Sequence, residues 1–116
     1  MPNPVVHFEI GCRDSEKTQG FYNSLFGWTT EMAGPAAMIA TGSDDGIQGH
    51  ITALGHEPHN YVLFYVLVDD LQAYLDKAEG LGGKTVIPPT EVPGMGAFAW
   101  FTDVAGNTLG LWKAVA

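Results

Sequence analysis

Apolar and polar positions along this chain follow one order of elements and then run through that order again. Residues 5–12 read as a strand. Asp14 follows as an N-cap. Phe21, Tyr22, Leu25 and Phe26 then fall at helical spacing on one face, and Gly27 supplies the stop. Residues 28–32, 36–41 and 47–53 read as three short strands, parted by Gly34 and Pro35 and by a turn from Gly42 to Gly46 with two aspartates. In the second pass, residues 61–68 are apolar throughout, as in a strand covered on both faces. Asp69 or Asp70 caps a helix whose Leu71, Tyr74, Leu75, Ala78 and Leu81 form a buried stripe. Residues 84–87, 97–102 and 108–112 are the remaining strands, and residues 103–107 a turn. The stretch 88–96 carries Pro88, Pro89 and Pro93 and is too proline-rich for an inner strand.

The two passes coincide at an offset of 56 residues: His7 falls on Leu63, Asp14 on Asp70, Leu25 on Leu81 and Gly27 on Gly83. Such self-similarity marks duplicated supersecondary units. The expected fold is α+β, one domain of two βαβββ modules over about residues 1–55 and 60–116. Neither module is long enough to bury its sheet alone, so the two pack on each other or on another chain.

Composition narrows the function. With 46% hydrophobic and 16% charged residues the chain of 116 is a folded protein rather than a disordered one. Its net charge is −8, and Arg13, Lys17, Lys77, Lys84 and Lys113 are too scattered to form a basic patch. Nucleic acid and anionic membranes are therefore excluded as partners. Cys12 is the single cysteine, so no intrachain disulfide forms, which fits a reducing cytoplasm. The start, Met1 to Pro4, lacks the basic and apolar regions of a signal peptide, and the longest apolar run, 61–68, is too short to span a bilayer. A soluble cytoplasmic protein is expected.

Several stretches together resemble the vicinal oxygen chelate superfamily, also called glyoxalase/bleomycin resistance/dioxygenase. They are Val6 to Ile10, Phe21 and Tyr22 with Phe26, Gly27 and Trp28, Val68 to Asp70 running on to Gly83, and Phe98 to Trp112 with Asp103, Gly106, Asn107 and Gly110. The resemblance implies that each module curls into a cup-shaped mixed sheet. Two cups combine within one chain or across a homodimer. In metal-dependent members, four residues on inner strands hold a divalent ion that binds neighbouring oxygens of a substrate. Carried over, the first position is His7, a competent ligand, and its counterpart in the second module is Leu63. The last strand of the second module offers Gly110 where a glutamate is usual, and aligning 47–51 with 108–112 places Gly49 at the fourth position. One ligand of four falls short of the three or more that a stable site needs. The closing Gly110, Leu111 and Trp112, with Pro93 to Gly96, resemble a bacterial subgroup without an assigned reaction.

His7 and Glu9 lie two apart on a strand and share a face. A histidine beside a carboxylate is a candidate base or anchor for a substrate hydroxyl, and buried polar groups of this kind must be used or paired. His50, one residue beyond Gly49, points away from that face by alternation; a register shift, such as a bulge at Gly49, would bring it in beside His7 and is the main route to a divalent metal site. His56 and His59 flank Pro58 in the connector and read as a solvated loop. Leu63 and Tyr65 share one strand face, and Trp112 shares a face with Gly110. Glycine at 49 and 110 opens room for an apolar pocket lined by Tyr65 and Trp112, unless these rings pack the core. Met95, between Gly94 and Gly96, belongs to a lid or to a tight turn. The chain has no Gly-x-Ser-x-Gly elbow and no phosphate-cradling glycine loop. The function expected is metal-independent binding of a small, largely apolar or aromatic molecule, with no cofactor and with His7 and Glu9 as anchors. The alternatives are a lyase, isomerase or dioxygenase with a non-standard His7/His50 metal site, a metal-free enzyme with His7 or Glu9 as base, and an accessory domain with an inert cup.

Overall fold

The computed structural model describes residues 2–55 and 57–115. Two compact units divide the chain, residues 7–63 and residues 64–116 with 1–6. The first contains most of β1 (Val5–Gly11), then α1 (Ser15–Phe26), β2 (Thr29–Ala33), β3 (Ala36–Ala40) and β4 (Gln48–Thr52). Its strands lie in the order β2-β3-β4-β1, with β1 and β4 parallel and the other pairs antiparallel. The second contains most of β5 (Tyr61–Leu67), then α2 (Leu71–Gly80), β6 (Lys84–Val92), β7 (Gly96–Thr102) and β8 (Thr108–Ala114). Its order is β5-β8-β7-β6, again with one parallel pair, β5 and β8. Both units are βαβββ modules with mixed sheets. Residues 2–6 go with the second module because Leu67 N donates to Pro4 O at 2.9 Å and Asn3 Nδ2 donates to Leu67 O at 2.9 Å.

The helices begin where the sequence says they should. Asp14 accepts from Lys17 N at 3.1 Å, Asp70 accepts from Ala73 N at 3.0 Å, and Gly27 closes α1 with φ of 72°. Their packing differs. The second helix buries Leu71 and Leu75 against Val68, Ala99 and Leu111, although Leu81 of the expected stripe is exposed. The first helix buries no residue, and Phe21, Leu25 and Phe26 of its expected core face are exposed. Only Tyr22 of that face packs against the core of Ile10, Cys12, Ala37, Ile39 and Ile51, with Trp28 stacked on it at 5.6 Å between ring centroids. The contact from α1 to β2 is instead polar: Thr30 Oγ1 donates to Gln19 Oε1 at 2.8 Å and accepts from Asn23 Nδ2 at 3.2 Å. Helical spacing says which residues share a face but not which face meets the sheet.

Two further expectations change. The proline-rich stretch is strand through Val92, at the edge of the second sheet, and its pairing with β7 shifts register between Thr85 and Ile87 and again between Ile87 and Thr90. Proline lacks a donor, which an edge with irregular pairing tolerates. In β5, Leu63 and Tyr65 are buried while Val62 and Phe64 are exposed, so only one of its faces is covered. No helix among the described residues is long and apolar enough to cross a membrane.

Candidate functional site

The parallel pairing of β1 with β4 builds the site. Its register sets Phe8 opposite Gly49 and Glu9 opposite His50, and opposed residues on neighbouring strands share a face. His7, Glu9 and His50 therefore stand on one face without any bulge. Gly49 lies on the other, where a Cβ would meet Phe8. This reverses the expectation for both residues. In the second module the parallel register sets Tyr65 opposite Gly110, so the counterpart of Gly110 is His50 rather than Gly49. The segments between first and last strands differ in length, and the offset valid at His7 and Leu63 does not extend to the last strand.

The three side chains form a connected chain. His7 Nε2 and His50 Nδ1 are 2.7 Å apart, with their rings stacked at 4.9 Å between centroids. His50 Nε2 lies 3.2 Å from Glu9 Oε1. Glu9 is only 3% exposed, and its other oxygen accepts from the Tyr61 hydroxyl. Burial, and then the bond to Glu9, push the Tyr61 hydroxyl far above its ordinary range, so it stays protonated and donates. Burial, and then the neighbouring His50, lower His7 to about 4 against the opposing pull of Glu9, so its imidazole is neutral at neutral pH. The Tyr61 ring lies directly over Gly11, where a Cβ would strike it. Tyr61 is the member of this group that sequence reading missed. Its signal was present, since alternation puts Tyr61 on the same face of β5 as Leu63 and Tyr65.

The second module fills the equivalent positions with aromatic rings. Tyr65 and Trp100 are both buried, and Trp100 Nε1 donates to the Tyr65 hydroxyl at 2.9 Å. The Tyr65 ring occupies the space that Gly110 leaves, just as Phe8 occupies that of Gly49. The two glycines thus seat the protein's own rings and do not open a pocket. Leu63 is buried, and Trp112 is half-buried opposite Phe98. Met95 is exposed in the turn between β6 and β7, where its N donates to Val92 O at 3.0 Å, a tight hairpin rather than a long loop. Cys12 is buried, with Sγ 3.6 Å from Thr52 O. His59 Nε2 pairs with Glu57 at 3.1 Å, and Arg13 meets the same carboxylate at 3.7 Å. His56 lies outside the described residues.

Among the described residues no group of three or more His, Cys, Asp or Glu is placed to hold a metal. The facing nitrogens of His7 and His50 are at hydrogen-bond distance from each other, Glu9 is engaged by Tyr61 and His50, and the counterparts in the repeat, Leu63 and Gly110, offer no donor atom.

The family model Glyoxalase/Bleomycin resistance protein/Dioxygenase superfamily matches residues 5–111. The anthracycline biosynthesis protein DnrV of Streptomyces peucetius is 29% identical over 130 residues, covering 97% of this chain and 47% of DnrV; this chain spans about half the length of that relative. Among solved structures, a glyoxalase/bleomycin resistance protein/dioxygenase superfamily member from Vibrio splendidus has a TM-score of 0.64 at 15% identity, over 98% of this chain and 100% of that one. Methylmalonyl-CoA epimerase from Mycobacterium tuberculosis has a TM-score of 0.63 at 16% identity, over 97% and 88%. At such identities the structures share the fold alone.

Proposed function

The chain belongs to the glyoxalase/bleomycin resistance protein/dioxygenase superfamily, and on that premise we propose that it binds a small, largely apolar or aromatic molecule without a resident metal ion, using His7, Glu9 and His50 as polar anchors. One observation carries this reading: His50 spends both ring nitrogens inside the protein, one on His7 and one on Glu9. A ligating imidazole must turn one nitrogen to the metal and satisfy the other with a carboxylate or carbonyl. Here the nitrogen that would face a metal faces a second imidazole. Polar groups on a sheet face cost several kcal/mol, about 2–7 each, unless paired or used, and this set is paired among its own members while the rings of both histidines stay half-buried. The similarity to DnrV, a protein of anthracycline biosynthesis, supports an aromatic ligand as the first class to try.

Elemental analysis tests the reading. Protein purified without chelator, offered zinc, nickel, manganese and iron and then desalted, is expected to retain far less than one metal ion per chain. Saturable binding of aromatic small molecules is expected to be the same with and without chelator. About one ion per chain, lost in His7→Ala, overturns the proposal and moves the protein among the metal-dependent lyases and dioxygenases of its superfamily.

A further inference from the structure

We propose that the solvent face of α1 is the contact by which two copies of this chain pair, with Phe21 and Leu25 of each helix seated in the furrow that Gly20 and Ser24 leave on the other. This pairing is separate from the polar group on β1 and β4 and does not depend on what that group binds.

Thr18, Gln19, Tyr22 and Asn23 are the half-buried side of α1, so residues 16, 17, 20, 21, 24 and 25 make up its solvent face. Residues four apart are neighbours along a helix surface, which divides that face into two lines. Phe21 and Leu25 form a high ridge and are 60% and 58% exposed. Gly20 and Ser24 form a low line beside it, and a Cβ added at Gly20 would meet nothing within 4 Å. Helices pack when the ridge of one enters the groove of the other. A face with one high and one low line meets that condition against its own copy, each ridge filling the other's furrow about a twofold axis.

The repeat provides an internal control. At the offset of 56 residues the second helix carries Asp76 and Gly80 where α1 has Gly20 and Ser24, and Lys77 where α1 has Phe21. Asp76 accepts from Gln72 Nε2 at 2.9 Å, as on an ordinary solvated helix. Leu81 alone repeats the exposed Leu25. The fold therefore does not require an apolar ridge at this place, and adjoining exposed apolar side chains of this size mark an interaction site. A second copy is the partner with the matching surface. The only charges on the face are Glu16 and Lys17, one of each sign, so it gives no pull towards a strongly charged partner. Two chains of net charge −8 repel, and apolar contact must supply the attraction. Twelve residues make a helix about 18 Å long. A contact of that length falls in the small class, below about 1,200 Å², and corresponds to a dissociation constant on the order of 10–100 µM.

Sedimentation velocity of the full chain tests this. Between about 1 and 500 µM the wild-type protein is expected to pass from monomer to dimer by mass action. Added salt should strengthen the dimer, because screening relieves the repulsion between two acidic copies. Phe21→Lys gives α1 the residue that the second helix has, and Gly20→Leu fills the furrow. Each should weaken pairing at least about tenfold, as loss of a central contact does. Both substitutions fall on exposed positions, and Gly20→Leu replaces a poor helix former with a good one, so circular dichroism should match the wild-type protein. Leu81→Lys, on the second helix, should leave pairing unchanged. A wild-type chain that stays monomeric at the highest concentration overturns the inference. So does a dimer that both α1 variants leave intact, since it is then built elsewhere. A monomer that instead binds phosphatidylcholine vesicles, and loses them in Phe21→Lys, assigns the face to a lipid surface and overturns it as well.

Discussion

At the same register position the two modules solve one packing problem in opposite ways. In the first, Glu9 on β1 faces His50 on β4; in the second, Tyr65 on β5 faces Gly110 on β8. One pair is a carboxylate and an imidazole, held by His7 and Tyr61. The other is a phenol ring lying over a glycine and tied to Trp100. The pairs show that cross-strand positions change together: a ring that covers its neighbour requires glycine there, and a histidine there requires an acceptor beside it. A second contrast runs through the helices. The second module's helix drives Leu71 and Leu75 into its core, whereas the first module's helix meets β2 through Gln19, Asn23 and Thr30. Chemistry is concentrated in the first module and apolar filling in the second.

Substitutions can break these contrasts, beginning with the largest expected effect. Leu75, 1% exposed, should cost about 3 kcal/mol when cut to alanine, the usual toll of a core cavity. Its counterpart in the comparison, Leu25 at 58% exposed, should cost less than about 0.5 kcal/mol. Denaturant unfolding of both variants measures the difference, and equal losses would mean that α1 is buried after all. Next, Gly110→Ala drives a methyl group into the buried Tyr65 ring and should destabilise by about 2 kcal/mol, as overpacking does. Gly11→Ala, beneath the less buried Tyr61, should cost nearer about 1 kcal/mol and shift the tyrosine absorbance as the hydroxyl leaves Glu9. The smallest effect is that of pH. His7 sits at about 4 in the folded protein and at 6.5 when unfolded, so the unfolded chain takes up this proton first. Stability from this group is complete above about 6.5 and falls as pH drops towards 4. Because His7 is partly exposed, solvent screening reduces the loss to on the order of 1 kcal/mol. A His7→Gln variant should lack that increment across the same interval, and an unchanged pH profile would remove His7 from the buried row.

Much of this protein was legible in its order of residues. The repeat, the caps at Asp14, Asp70 and Gly27, the succession of helices and strands along the chain and the shared face of His7 and Glu9 all follow from local rules, because capping, alternation and turn chemistry act over a few neighbouring residues. Local rules also placed Tyr61 on the face of Leu63 and Tyr65, although not its meeting with Glu9. What they could not supply was the pairing between strands distant in sequence. A register error of one residue reverses every side chain on a strand, and that single step separated an outward His50 beside an open Gly49 from an imidazole bound between His7 and Glu9. The same limit hid which face of α1 meets the sheet and how the glycines at 49 and 110 are filled. Sequence alone therefore determined the modules and their ends, which depend on neighbours along the chain. Tertiary structure decided the site, because hydrogen bonds such as His7 to His50 join strands forty-three residues apart and exist only once parallel register has set them face to face.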